Sequence, residues 1–262
     1  MRRIPARLPK LAQDLTRGYA WTKVTIGASP ATTCRLERSG HQTMYLKIDP
    51  KSVGRDLLAE TDVLTWLRGR LCVPDVLSFA AGETADYLLT SAIPGWNAAD
   101  VCGTISNIEL VRLLAAGLRM VHSVPIAGCP FDRSLARTLR LAEFNVRHGL
   151  VDEKDFDYVR HGRTATELYG ELLRLRPEHE DLVFTHGDYC LPNIIFDGQR
   201  VSGFVDLSRA GIADRYQDIA LAIRSIASSM GSGFEQVFCE EYGIGRPDRQ
   251  KIDYFMLLDE FF

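Results

Sequence analysis

The 262-residue sequence has no apolar run approaching the roughly 18 residues that a membrane-spanning helix needs. None of its six cysteines stands in a CxxC pair or beside histidine at zinc spacing. That excludes a zinc ribbon and a dithiol redox centre. Cysteines scattered among apolar positions read as reduced thiols, so a cytoplasmic setting is expected. The segment Met1 to Lys10 carries four basic residues and no acidic one, yet has no apolar core or cleavage site of an export signal. A formal net charge of -3 removes the argument for non-specific nucleic-acid binding. There is no internal repeat and no low-complexity tract, and nothing indicates an obligate protein partner.

What is present is ordinary globular composition, 46% hydrophobic and 25% charged. The length suits one large domain or two lobes. Strand-like stretches rich in β-branched and aromatic residues fall at 19–26, 32–38, 43–49, 76–80 and 86–91, with a helical pattern at 55–69. Ile93-Pro94-Gly95 breaks this pattern. Helices are predicted over 106–122, 133–148, 152–161 and 165–176. Short strands and loops occupy 182–206, and helices resume over 214–228, 233–242 and 247–260. The predicted fold is α+β: an antiparallel-sheet lobe (1–91), a connector (92–96) and a mainly helical lobe (97–262), with a ligand cleft at the junction.

The chemistry concentrates in Val183-Phe-Thr-His-Gly-Asp-Tyr-Cys-Leu-Pro-Asn-Ile-Ile-Phe. An apolar strand delivers Asp188, Asn193 stands five residues later, and a second strand ends at Asp206. Phosphoryl transfer needs one carboxylate to orient a hydroxyl and hard oxygens to hold Mg²⁺ against nucleotide phosphates. Protein kinases show the same Asp-to-Asn separation and a later metal-binding Asp. His186 is read as a hydrogen-bonding residue that holds the loop. A plain loop with a strand-end aspartate is the bland alternative.

Met44-Tyr-Leu-Lys-Ile-Asp49 alternates, so Tyr45 and Lys47 share one strand face. Leu57, Leu58, Leu64 and Leu67 are read as the buried stripe of the following helix, and Glu60 falls within it. A buried carboxylate needs a partner, and Lys47 is the candidate. Gly27-Ala28-Ser29-Pro30-Ala31 lies where a phosphate-covering loop belongs, although it matches neither GxGxxG nor GxxxxGK[ST]. The segment 90–93 is expected to offer backbone hydrogen bonds to adenine, through Thr90 and Ala92.

On the substrate side, Ile252, Phe255 and Met256 are read as the apolar stripe of the last helix, which Asp259 and Glu260 follow. Acidic groups at a helix C-terminus repel its dipole, and an external cation would relieve them. The run Asp152 to Asp157 adds four carboxylates and one lysine.

The run HGDYCLPNIIFDGQRVSGFVDLSRAGIADRYQDIALAIRSI, the segment Leu-Leu-Thr-Ser-Ala-Ile-Pro-Gly and the ending Leu-Leu-Asp-Glu-Phe-Phe resemble the aminoglycoside 3′-phosphotransferases. The likeness runs from about Tyr19 to Phe262. It implies a protein-kinase-like fold that moves the ATP γ-phosphate to the 3′-hydroxyl of an aminoglycoside and so confers antibiotic resistance. It implies Asp188 as catalytic carboxylate and Asn193 and Asp206 as Mg²⁺ ligands. Lys47 would contact the α and β phosphates, Glu60 would pair with it, Tyr45 would stack on adenine, and Ser29 would belong to the phosphate loop. Asp259, Glu260 and the terminal carboxylate of Phe262 would bind substrate amines. Arg209 would lie in the active site, paired with Asp188 or meeting a phosphate. Asp155 and Asp157 are the acidic-run positions assigned to substrate. Ser208 departs from a common family glycine. Kinases of the same fold acting on choline, homoserine or a macrolide, and a nucleotide-binding pseudokinase, are the alternatives.

Overall fold

The computed structural model describes residues 9–25, 31–51 and 57–262. Gly27 to Pro30, with the phosphate-loop candidate Ser29, therefore lie outside the described residues. In chain order the elements begin with α1 (Lys10–Leu15), β1 (Ala20–Lys23), β2 (Thr32–Glu37), β3 (Met44–Pro50) and α2 (Leu57–Leu67). Next come β4 (Val76–Ala81), β5 (Ala85–Ser91), β6 (Trp96–Asn97), α3 (Ala98–Val101), α4 (Asn107–His122), α5 (Leu135–Arg147) and α6 (Ala165–Arg174). Then follow β7 (Leu182–Thr185), a 3₁₀ turn (Leu191–Asn193), β8 (Ile194–Asp197), β9 (Arg200–Phe204) and β10 (Gly211–Asp214). Three helices close the chain: α7 (Tyr216–Met230), α8 (Glu235–Tyr242) and α9 (Arg249–Asp259).

The chain divides into two compact units. One joins Met1–Trp96 with Ile195–Ser208; the other joins Asn97–Ile194 with Arg209–Phe262. The return of 195–208 to the first unit departs from the expected division at 92–96. A backbone bond from Phe204 N to Cys72 O (3.0 Å) ties β9 to the chain after α2. Gly203 permits that approach, because a Cβ there would lie 2.7 Å from Cys72 O.

In the first unit, five antiparallel strands run in the order β1-β2-β3-β5-β4. Leu46 pairs with Leu89 and Ile48 with Tyr87, and these residues join Leu36 and Met44 in an apolar cluster on one face. The other face of β3 carries Tyr45 and Lys47, opposite Thr90 and Leu88. Helix α2 packs against β4 and β5 and buries Leu57, Glu60, Val63, Leu64 and Leu67. Leu58 is 46% exposed, which corrects its expected burial: Val63 completes the stripe instead. Adjacent residues on a helix are about 100° apart, so Leu57 and Leu58 do not share a narrow face.

In the second unit α7 packs against α4, α8 and α9, and Ile219, Ala220, Leu221 and Ala222 are all buried. A helix apolar on most sides belongs in a core. Ser106 caps α4, Asp248 caps α9, and a Thr164–Glu167 capping box opens α6. The helix predicted over 152–161 is absent; the segment is a chain of turns. Asp152 accepts from Lys154 N at 3.0 Å, and Asp157 from Val159 N and Arg160 N, each at 3.0 Å. These local side-chain bonds compete with the helical ladder. Among the described residues no helix is long and apolar enough to cross a membrane.

Candidate active site

Strand β7 pairs antiparallel with β10 and ends at Thr185, whose hydroxyl donates to Gly211 O at 3.0 Å. The chain then turns through His186 and Gly187 under the control of Asp218. This carboxylate is fully buried on the first turn of α7 and accepts His186 N at 2.6 Å and Gly187 N at 2.8 Å. His122 Nε2 donates to the same carboxylate at 3.1 Å, and His122 Nδ1 accepts the Tyr242 hydroxyl at 2.7 Å. Gly187 has φ +83°, and a Cβ there would lie 2.2 Å from Arg209 O, so only glycine fits.

Asp188 follows on this fixed turn. Its backbone N–H donates to His186 Nδ1 at 3.3 Å, a loop-holding bond of the kind expected for His186. The Asn193 amide nitrogen donates to Asp188 O at 2.9 Å and to Asp188 Oδ2 at 3.0 Å. Asn193 is therefore oriented by Asp188, and its carbonyl oxygen is a hard donor of the kind a divalent cation takes. Tyr189 anchors the turn from below: it is buried, and its hydroxyl donates to Leu114 O at 2.7 Å.

In the sheet unit, Lys47 Nζ lies 2.6 Å from Glu60 Oε1 and 3.1 Å from Asp206 Oδ1. Burial alone would depress the lysine, but Glu60 and Asp206 outweigh it and its pKa is raised. Burial pushes the Glu60 carboxyl up, against the pull of Lys47. The short contact with Lys47 and a backbone donor from Leu207 draw it back towards the charged form. Asp206 has φ 61° and is the only non-glycine residue with positive φ among the described residues. That backbone conformation costs about 1–2 kcal/mol for a residue with a Cβ. The Asp206 side chain is 45% exposed, a carboxylate open to a cation. Tyr45 and Thr90 are register partners beside Lys47. The Ala92 N–H is given to Thr43 O at 3.0 Å, which leaves the Ala92 carbonyl as its backbone group for a ligand.

On the helical unit a cavity of about 370 Å³ is lined by Asp152, Asp155, Asp157, Asp259, Glu260 and Arg224, with Phe262 at its edge. Asp259 at the end of α9 is offset by cations of the chain itself, where relief by an external cation was expected. Asp259 Oδ1 is 2.5 Å from Arg209, and its Oδ2 is paired with Arg224. Burial opposes ionisation of Asp259, but the two arginines outweigh it and hold the pKa below its ordinary value. Glu260 is different. Burial and then Asp157 push its carboxyl up to about 7, although Arg160 pulls the other way. Arg160 staples the acidic loop to α9: it pairs with Asp157, lies 3.4 Å from Glu260 Oε1 and donates to Asp253 O at 3.3 Å. Arg209 pairs with Asp259 and lies with its guanidinium 5.3 Å over the Phe262 ring. Asp259 and Asp188 together raise its pKa against the cost of burial.

Asp218, Arg224 and Arg160 were not foreseen. For Asp218 a signal existed: a lone carboxylate at the head of the apolar run Ile219-Ala-Leu-Ala-Ile223.

Comparison with known proteins places this geometry. Residues 20–255 match the model of the phosphotransferase enzyme family. An aminoglycoside 3′-phosphotransferase of Niallia circulans is 45% identical over 219 residues, covering 83% of each chain. A crystal structure of an aminoglycoside-3′-phosphotransferase of type VIII superposes with a TM-score of 0.85 at 34% identity, covering 96% of each chain. Aminoglycoside phosphotransferase APH(3″)-Id of Streptomyces rimosus, solved with ADP and streptomycin, is similar with a TM-score of 0.79, at 27% identity and 96% coverage of each chain. On a family match that spans most of its length and a relative at 45% identity, this chain, with its protein-kinase-like fold, belongs to the aminoglycoside 3′-phosphotransferases.

Proposed function

We propose that the protein transfers the γ-phosphate of ATP to the 3′-hydroxyl of an aminoglycoside and thereby inactivates the antibiotic. The observation that carries the chemistry is the Asp188–Asn193 contact. One carboxylate oxygen is held by the Asn193 amide on a turn clamped by Asp218. The other then accepts the hydroxyl's hydrogen bond and takes its proton as the O3′–P bond forms and the bond to the β,γ-bridging oxygen breaks. ADP leaves with that oxygen. Such a site works by positioning and fixed charge more than by covalent chemistry.

Lys47, set by Glu60, holds the α and β phosphates. Tyr45 stacks on adenine, and Thr90 and the Ala92 carbonyl border the base. The sheet unit thus carries the nucleotide, and the helical unit carries the catalytic turn and the aminoglycoside. The Asn193 carbonyl oxygen and the Asp206 carboxylate suit Mg²⁺, which takes hard oxygens and lets phosphates and water complete its shell. Bound there, the ion would neutralise phosphate charge. Asp155, Asp157, Asp259, Glu260 and the terminal carboxylate of Phe262 receive substrate amines, and Arg209 fixes Asp259. An acidic cavity also steers a polycation by long-range attraction. We place the reaction in the cytoplasm, where ATP is supplied and where the six cysteines, all free thiols, stay reduced.

Magnesium-dependent ATP turnover, measured with and without kanamycin and followed by NMR of the product, tests the reading. Asp188→Ala should lose roughly 10²–10⁴-fold in kcat while retaining ATP binding. Near-normal turnover in that variant, or a phosphate on another hydroxyl, would overturn it.

A further inference from the structure

The helical unit holds a second cavity, of about 380 Å³, that shares Phe262 with the acidic one. Its charge is opposite. The ionisable side chains lining it are Arg133, Arg137, Arg140 and Arg209, with no carboxylate among them. Helix α5 supplies Arg137 and Arg140, and Arg133 lies just before the helix. Two nearby acids act on the lining arginines, Asp259 on Arg209 and Asp132 on Arg133, and no carboxylate pairs directly with Arg137 or Arg140 among the described ion pairs. Asp132 accepts from Ser134 N at 2.9 Å, Glu143 pairs with Arg147 at 2.5 Å, and Asp259 is shared by Arg209 and Arg224.

Arg137 and Arg140 are exposed, whereas Arg133 is half-buried and is not part of a solvated helix face. The Arg133 guanidinium is drawn under Ala210, to whose carbonyl its Nε donates at 3.5 Å. Its pKa is lowered by burial and then by Arg137 and Arg209, with Asp132 opposing. Several like charges therefore face one volume, at a cost that an anion would relieve. The remaining walls are apolar. Leu141, Phe144 and Phe262 line the cavity and are 39%, 41% and 44% exposed.

We propose that this cavity binds a small organic phosphate, a phosphate-bearing anion with an apolar or ring-shaped body. Guanidinium forks match phosphate oxygens bidentately, and several of them suit a dianion better than a monocarboxylate. The apolar walls require a body that a free inorganic ion lacks. A polycation is excluded by the same arginines, so this ligand is not the aminoglycoside. Binding here does not depend on which substrate the acidic cavity takes.

The test uses the full chain with its nucleotide site saturated by AMP-PNP and Mg²⁺, titrated calorimetrically with phenyl phosphate and, separately, with inorganic phosphate. Phenyl phosphate should bind more tightly than inorganic phosphate. The Arg137→Ala/Arg140→Ala variant should weaken it by at least about tenfold, since charge-assisted hydrogen bonds are roughly twice as strong as neutral ones. Both arginines are exposed, so the melting temperature should stay unchanged. Phe144→Ala should weaken phenyl phosphate and leave inorganic phosphate alone. Failure of the wild type to bind phenyl phosphate at millimolar concentration, or unchanged affinity in the double arginine variant, would overturn the site. Equal binding of both probes, untouched by Phe144→Ala, would overturn the ring-bearing ligand.

Discussion

Asp218 Oδ1 accepts the backbone N–H of Gly187 at 2.8 Å, so a buried helix carboxylate sets the angle at which the next residue, Asp188, leaves its strand. The second oxygen takes His186 N, and neither donor is a side chain that could swing away. The carboxylate proposed as catalytic thus inherits its position from α7.

Asp218→Asn should therefore lose both stability and turnover. The amide retains one acceptor and brings an NH₂ against backbone donors. Hydrogen bonds to a charged group contribute about 1.5–3 kcal/mol each, so a loss of that order is expected in urea melts. The kcat should fall at least about tenfold, because catalysis by a positioned group is sensitive to small displacements. The KM for ATP should change little. A variant with normal stability and normal kcat would mean that the clamp does not position Asp188.

The Lys47–Glu60 pair makes a different demand. Lys47→Met leaves Glu60 buried without its cation, and breaking a buried pair costs about 3–5 kcal/mol. Adding Glu60→Gln should restore most of that stability while leaving the enzyme inactive. A double-mutant cycle by thermal melts, read beside ATP turnover, separates the two roles. If the double variant is as unstable as Lys47→Met, the pair is not the source of the loss.

This pair was legible in the sequence because two periodicities crossed: a two-residue repeat put Lys47 opposite the apolar face of β3, and a helical repeat put Glu60 inside a buried stripe. The Asp188–Asn193 spacing was legible for the same reason, since it is local. Asp218 was less so, because a carboxylate in the first turn of a helix ordinarily signals only the dipole. Arg160, Arg209 and Arg224 were illegible as counterions: their partners lie 100, 50 and 35 residues away in the chain, at Glu260, Asp259 and Asp259. The 152–161 segment misled because Asp and Glu at a helix start and Asp in a turn have the same composition and differ only in where the side chain bonds. The grouping of 195–208 with the sheet unit rests on β9, whose bond to Cys72 leaves no trace in spacing.

Glu260 should give the protein a pH-dependent stability. Its carboxyl is raised from the ordinary 4.5 to about 7 in the fold, by burial and by Asp157. The folded state therefore holds the proton more tightly than the unfolded state. Its contribution is fully present below about 4.5 and is lost as pH rises through about 7. The melting temperature of the wild type minus that of Glu260→Gln should thus fall between pH 5 and 8. A flat difference across that range would show that Arg160 and Arg224 already hold Glu260 charged.

Phe262 offers a way to separate substrate binding from fold. Its neighbour Phe261 is 1% exposed, and the Phe261 carbonyl accepts from Asn145 Nδ2 at 2.8 Å, so changes there would disturb the core. Phe262 is 44% exposed, and its ring lies beneath the Arg209 guanidinium. Phe262→Ala removes that stacking surface, worth about 0.5–1 kcal/mol at an exposed site, and with it one constraint on the arginine that fixes Asp259. The aminoglycoside KM should rise several-fold, while the melting temperature and the ATP KM stay near wild type. Equal rises in both KM values would mean that Phe262 supports the catalytic turn as a whole rather than the substrate cavity.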